Sequence, residues 1–186
     1  MNSANNIGII ELASIYKGFE VQDSVLKHAR VEKVLARTIC SGKYLIIVRG
    51  ELADIEYCIE LAKQVGDFAV ISALCIANVN EKIFPAISGC TTLDIDNVDS
   101  MVLIETFSVA AAISAVDAAL DEADVEVPRI HVAMAVGGKG FAVLTGDAES
   151  LKSAIVPAID FLKEDGSLAG YTLITNPHPD VLRDIV

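Results

Sequence analysis

Residues 10–32, IELASIYKGFEVQDSVLKHARVE, return further along the chain as residues 104–126, IETFSVAAAISAVDAALDEADVE. At one constant offset, Ile10, Glu11, Ser14, Asp23, Leu26, Ala29, Val31 and Glu32 recur as Ile104, Glu105, Ser108, Asp117, Leu120, Ala123, Val125 and Glu126. Gly42-Lys43 then recurs as Gly138-Lys139, and Gly50 as Gly146, at an offset two residues larger. The second copy therefore carries a two-residue insertion just before its Gly-Lys. The period is too long for a solenoid unit and suits a complete small domain repeated in tandem. The polar stretch Thr91–Ser100 sets the expected boundary, giving domains over 1–92 and 93–186.

Each copy reads as β-α-β-β-α-β. In the first, Ile7–Glu11 is a short apolar strand, and Ile15–Ala29 is a helix with Ser14 placed as its N-cap. Ile15, Phe19, Gln22, Leu26 and Ala29 fall on one face at helical spacing and form the expected core face. Val34–Cys40 and Tyr44–Val48 read as strands parted by the turn signal Ser41-Gly42-Lys43. Leu52, Ile55, Ile59 and Ala62 mark the buried stripe of a second helix closed at Gly66, and Phe68–Ile76 is the last strand. The second copy predicts strands over 101–105, 127–135, 140–145 and 168–175, with helices over 108–123 and 148–164. The fold class is α+β: in each copy an antiparallel sheet carries paired helices on one face. Val109–Ala119 is nearly all Ala, Val and Ile, apolar almost all round, which predicts burial by neighbours from other chains.

The 186 residues carry 14 basic and 26 acidic side chains, a formal charge of −12. Residues 96–186 supply most of it, with 5 basic and 15 acidic side chains. Such a balance repels phosphate backbones and anionic lipid surfaces, so neither nucleic acid nor membrane is an expected partner. The charge-free, apolar stretch Phe68–Asn80 is far short of the roughly 20 residues that span a bilayer. Residues 1–6 are polar and show no secretion signal, so a reducing cytoplasm is expected and disulfides are not. Cys40, Cys58, Cys75 and Cys90 have no CxxC or other local metal spacing. No Ser-His-Asp set or paired-acid constellation appears, which argues against an enzyme.

Ile9-Ile10-Glu11, Lys27-His28-Ala29-Arg30-Val31, Ser41-Gly42-Lys43 and Val48-Arg49-Gly50 resemble the bacterial microcompartment shell domain. Asn176-Pro177-His178-Pro179 is similar to the Pro-Arg-Pro-His segment that closes many such domains, with Asn176 where Arg is usual. The resemblance spans both copies. It implies a homotrimer that mimics a six-domain hexagonal tile, packed with other shell proteins into the compartment shell, around a central pore bordered by the turn after the first helix. Ser41 and Gly42 of the first copy, with Val136, Gly137 and Gly138 of the second, are the implied pore lining, and Lys27 the implied tile edge. In tandem members with a cysteine matching Cys40, the resemblance implies one [4Fe-4S] cluster per trimer, held by three copies of that residue, and electron transfer to an encapsulated redox enzyme.

The residues are compatible with that implication. Clusters need several thiolates, and threefold symmetry turns one cysteine near the axis into three. Backbone N–H groups of a tight turn can stabilise added negative charge, and Gly42 permits close approach. By spacing alone, a cysteine at a strand end is a small buried hydrophobe. Cys58 and Cys75 read as core, and Cys90 as an interdomain-loop thiol. Two other readings stay open: a tile with an open pore passing small polar metabolites, and a tandem small-molecule-binding regulatory protein.

Overall fold

The computed structural model describes residues 5–132 and 139–185, apart from the side chain of Ser41. The chain forms two compact units, the first ending at Val79 and the second beginning at Asn80. The first contains β1 (Asn6–Leu12), α1 (Ile15–His28), β2 (Val31–Ile39), β3 (Lys43–Gly50), α2 (Leu52–Gly66) and β4 (Val70–Ile76). The second contains α3 (Ile83–Ser88), β5 (Ser100–Thr106), α4 (Val109–Glu122), β6 (Glu126–His131), β7 (Gly140–Gly146), α5 (Ala148–Glu164), β8 (Leu168–Thr175) and α6 (Pro179–Arg183). Each sheet has four antiparallel strands, ordered β2-β3-β1-β4 and β6-β7-β5-β8. The repeated β-α-β-β-α-β pattern is thus present twice. Short helices α3 and α6 are additions that the repeat did not announce.

In the first unit the sheet packs on α1 and α2 through Ile10, Leu12, Tyr44, Ile46 and Val48, which meet Val21, Val25, Ile55, Cys58, Ile59 and Ala62. All seven residues of β1 are buried, so this central strand is covered on both faces. In the second unit, Met101 and Val143 meet Leu182 and Ile185 in a separate cluster, bordered by Leu93, Ile95 and Val98. There the segment around residues 93–98 and α6 close the sheet face opposite α4 and α5.

The inward face of α1 differs from the face expected. Gly18, Val21 and Val25 are the buried residues, while Ile15, Tyr16, Phe19 and Leu26 are exposed. Tyr44 is the cause. It is 3% exposed and lies under the helix, and a Cβ at residue 18 would sit 2.3 Å from its ring. Only a glycine lets α1 lie down there. The Tyr44 hydroxyl donates to Gln22 Oε1 at 2.6 Å, so Gln22 serves as a hydrogen-bond partner rather than as apolar filling. Leu52 of α2 is likewise exposed, while Ile55, Ile59 and Ala62 are buried as expected.

The second repeat solves the same contact by an exchange of volume. Ala112 stands at the place of Gly18, and Gly140 at the place of Tyr44. A Cβ on Gly140 would lie 3.2 Å from the Ala112 methyl. The expectation that other chains bury α4 is corrected here. Nine of its fourteen residues are already buried in the single chain, where the helix packs on α5, on β5–β7 and on α3. Small alanine side chains let these neighbours approach from several sides at once. Ser14 and Ser108 both occupy N-cap positions, but only the Ser108 hydroxyl accepts a helix N–H, from Ala111 at 3.1 Å. No described helix is long and apolar enough to cross a membrane.

Candidate functional site

Cys40, Ser41 and Gly42 form a single 3-10 turn that joins β2 to β3, with Ile39 paired to Lys43 across its base. Gly42 has φ +74°, a conformation that L side chains rarely adopt, and it is this residue that lets the hairpin reverse so tightly. Cys40 is half-buried and engaged in a contact, and Ile39 beneath it is buried. The turn is thus a tight strand-end feature carrying one thiol.

An ion pair braces the base of the turn. Lys43 Nζ donates to Glu11 Oε1 at 2.7 Å, and the Glu11 side chain is only 7% exposed. Glu11 is the penultimate residue of β1 and lies opposite Leu45. The second repeat builds the same brace: Lys139 Nζ donates to Glu105 Oε1 at 3.0 Å and also lies 5.8 Å from the Phe107 ring centroid. Lys43 and Lys139 are both engaged by carboxylates of the first strand of their unit. The recurrence of Glu11 and Lys43 at matching places in both copies was the available signal for this pairing. It could be read only once β1 and β3 were known to be neighbours.

The other cysteines are elsewhere. Cys58 is buried in α2, and burial pushes its thiol up to about 11, so at neutral pH it is a protonated core group. Burial, and next the Glu56 charge, raise the Cys75 thiol in β4. Cys90 is exposed just after α3. No disulfide is formed among the four, and no group of three metal-ligating side chains occurs among the described residues. One copy thus offers a single thiol at the turn.

Val136, Gly137 and Gly138 lie outside the described residues, as does the side chain of Ser41. Lys27 is exposed near the end of α1 and pairs with Asp23 at 2.7 Å. Asp121 occupies the matching place in the second repeat. His131 stacks on Phe141, with ring centroids 4.8 Å apart. His178 accepts the Asp180 N–H as the N-cap of α6.

The outer faces of the two first helices differ sharply. Tyr16 and Phe19 of α1 are 67% and 59% exposed, whereas Ala110 and Ile113 at the matching places of α4 are 4% and 0% exposed. Ile15 and Leu26 are likewise exposed where Val109 and Leu120 are buried. One repeat thus has this surface covered and the other has it bare.

Two tandem units of this topology, each with a lysine at the start of its third strand paired to a glutamate of its first, define a class. The BMC domain profile matches residues 6–79 and 100–177, and the chain belongs to that family. It is a shell protein of a bacterial microcompartment, a structural component of the bacterial cytoplasm rather than an enzyme. It is 34% identical to the bacterial microcompartment shell protein PduT of Citrobacter freundii over 180 residues, covering 97% of each chain. A microcompartment protein from Desulfitobacterium hafniense DCB superposes with TM-score 0.90 at 32% identity, over 96% of this chain and 98% of the other. The fused permuted hexameric shell protein from the RMM microcompartment superposes with TM-score 0.62 at 21% identity, over 85% of this chain and 81% of that one, a likeness of fold.

Proposed function

We propose that three copies of the chain form a pseudohexagonal shell tile whose central pore holds one [4Fe-4S] cluster through Cys40 of each subunit, for electron transfer across the shell. The observation that carries this reading is the position of Cys40: one thiol on the 3-10 turn between β2 and β3 of each chain. The matching segment of the second repeat contains no cysteine, so six turns would present three thiols. A cluster bound there supplies one-electron oxidation and reduction without an open hole for metabolites. The chain's own contribution is to position the thiols on braced strand ends and to surround them with turn N–H groups. An encapsulated redox enzyme is the expected electron partner, and Lys27 is the expected tile-edge residue.

Iron and acid-labile sulfide per chain, with electron paramagnetic resonance before and after reduction, test this on anaerobically purified protein. About four irons per three chains are expected for one cubane on a threefold axis. Absence of iron even after reconstitution would leave a tile with an open pore for small polar metabolites.

The bare stripe on α1 supports the trimer. An apolar helix face of this size, equivalent to one that is covered in the other repeat, is the mark of an interface. Phe19→Asp places a charge at its centre. The expected result is a folded monomer by light scattering coupled to size-exclusion chromatography, under conditions where the unaltered chain is expected to elute as a trimer. A Phe19→Asp protein that stays trimeric would remove α1 from the subunit contact.

A further inference from the structure

The second unit shows what covers the outer face of its own first helix. Residues 80–88, the segment that follows β4 in sequence, lie against α4 and β6. The Asn80 N–H donates to Asp117 Oδ1 at 2.8 Å. Lys82 Nζ reaches Val125 O at 3.0 Å, Glu126 Oε1 at 2.8 Å and Asp124 Oδ1 at 3.4 Å. Ile83, Ala86 and Ile87 are buried there.

Both halves of this contact have counterparts at the surface, where Asp23 pairs with Lys27 at 2.7 Å and Asp180 with Arg183, each within its own helix. On the receiving side, Asp117 corresponds to Asp23, Asp124 to Arg30 and Glu126 to Glu32, and Asp23 and Arg30 are exposed. Glu32 is already matched by Arg49 at 2.7 Å. On the entering side, Asn78 and Asn176 end matching strands with φ +53° and +49°, which fixes the alignment beyond them. Asn80 then corresponds to His178, Lys82 to Asp180 and Ile83 to Val181. His178, Asp180 and Val181 are all exposed. Because Pro177 and Pro179 have no N–H, His178 is the one backbone donor of its Pro-His-Pro segment, as Asn80 is the donor to Asp117.

The entering charge is reversed, Lys82 against Asp180, and so is one receiving charge, Asp124 against Arg30, while Glu126 and Glu32 keep the same sign and Glu32 is neutralised by Arg49. The contact within the chain sets a lysine against acids; the other offers an aspartate, Asp180, to an arginine, Arg30. We propose that residues 178–181 of one copy seat on α1 and the start of β2 of a second copy, with the His178 N–H on Asp23 and Asp180 against Arg30. This rests on the trimer reading and adds its wiring. Wrong pairings set like charges together: Asp180 would face Asp124 and Glu126, and Lys82 would face Arg30. Such juxtaposition rejects incorrect partners more strongly than correct pairing attracts. The reversal therefore favours alternation of first and second repeats around a closed ring.

Sedimentation velocity of the cluster-free chain tests this without reference to iron. Arg30→Asp and Asp180→Lys should each weaken assembly about tenfold or more, while the double variant Arg30→Asp/Asp180→Lys should return to within about threefold of the unaltered chain. Far-ultraviolet circular dichroism confirms that each variant is folded. Single variants that assemble normally, or a double variant no better than the singles, would overturn the pairing. Where the pairing alone is wrong, the unaltered chain is still a trimer; an unaltered chain that sediments as a monomer overturns the trimer and the pairing together.

Discussion

Cys40→Ser is expected to leave the tile assembled and to reduce its iron and acid-labile sulfide to background. A serine hydroxyl is a poor substitute for a thiolate, and the change removes all three proposed ligands of a trimer at once. No other cysteine is placed to replace it. Cys58 is a core group whose thiol is pushed up to about 11 by burial, Cys75 lies in β4, and Cys90 follows α3. The turn itself should survive, because its geometry depends on Gly42 at φ +74° and on the brace between Lys43 and Glu11. A stability change within about 0.5 kcal/mol is expected for such a half-buried turn position. The check is metal analysis beside the paramagnetic spectrum and the sedimentation profile. Full iron in an assembled Cys40→Ser protein would end the assignment of this residue as a ligand.

The largest effect on stability is expected at Gly18. In a solvent-facing helix, glycine to alanine gains about 1 kcal/mol. Here the added methyl would lie 2.3–2.5 Å from three atoms of Tyr44, which is held from above by Phe19, with ring centroids 5.0 Å apart, and by its bond to Gln22. The nearest of these atoms are the Tyr44 Cβ and Cγ, next to its backbone, so helix and strand must move apart to admit the methyl. Overpacking of this kind costs about 1–3 kcal/mol and sometimes more. We expect Gly18→Ala to be about 2 kcal/mol less stable and to melt about 10 °C lower, given the temperature dependence of units of this size. In a Tyr44→Ala background the same change should cost little, because the offending ring is gone. A Gly18→Ala protein that melts higher than the unaltered chain would show that the helix does not lie on Tyr44.

Much of this architecture was legible in the repeat. Matching residues from Ile10 to Glu32 and from Ile104 to Glu126 defined two copies, and turn residues such as Gly42 and Gly50 separated strands from helices. The Cys40 turn was legible for the same reason: a tight reversal needs glycine at a particular place. The inward face of α1 was not. Its sequence carries two stripes, one of Gly18, Val21 and Val25 and one of Ile15, Phe19 and Leu26, and the larger side chains suggested the wrong one. Periodicity finds a face that seeks cover but does not say what covers it. The same limit applies to α4, whose all-round apolarity pointed to other chains although nine of its residues are buried within the single chain. The braces at Glu11 and Glu105 escaped because they join residues that are distant in sequence and meet only through strand pairing. Helices α3 and α6 are too short to give a periodic signal.

The exchange of Gly18 and Tyr44 for Ala112 and Gly140 also constrains how the two halves can diverge. A tract of the second copy that overwrote α1 alone would set an alanine methyl against the Tyr44 ring. A tract of the first copy that overwrote α4 alone would replace Ala112 with glycine and leave a void above Gly140. Each change is tolerable only with its partner, and the partners lie on either side of an intervening strand. Short recombination between the halves is thereby penalised in both directions, and each half keeps its own identity: the first retains the bare helix and Cys40, the second the covered helix and the longer Val136-Gly137-Gly138 sequence.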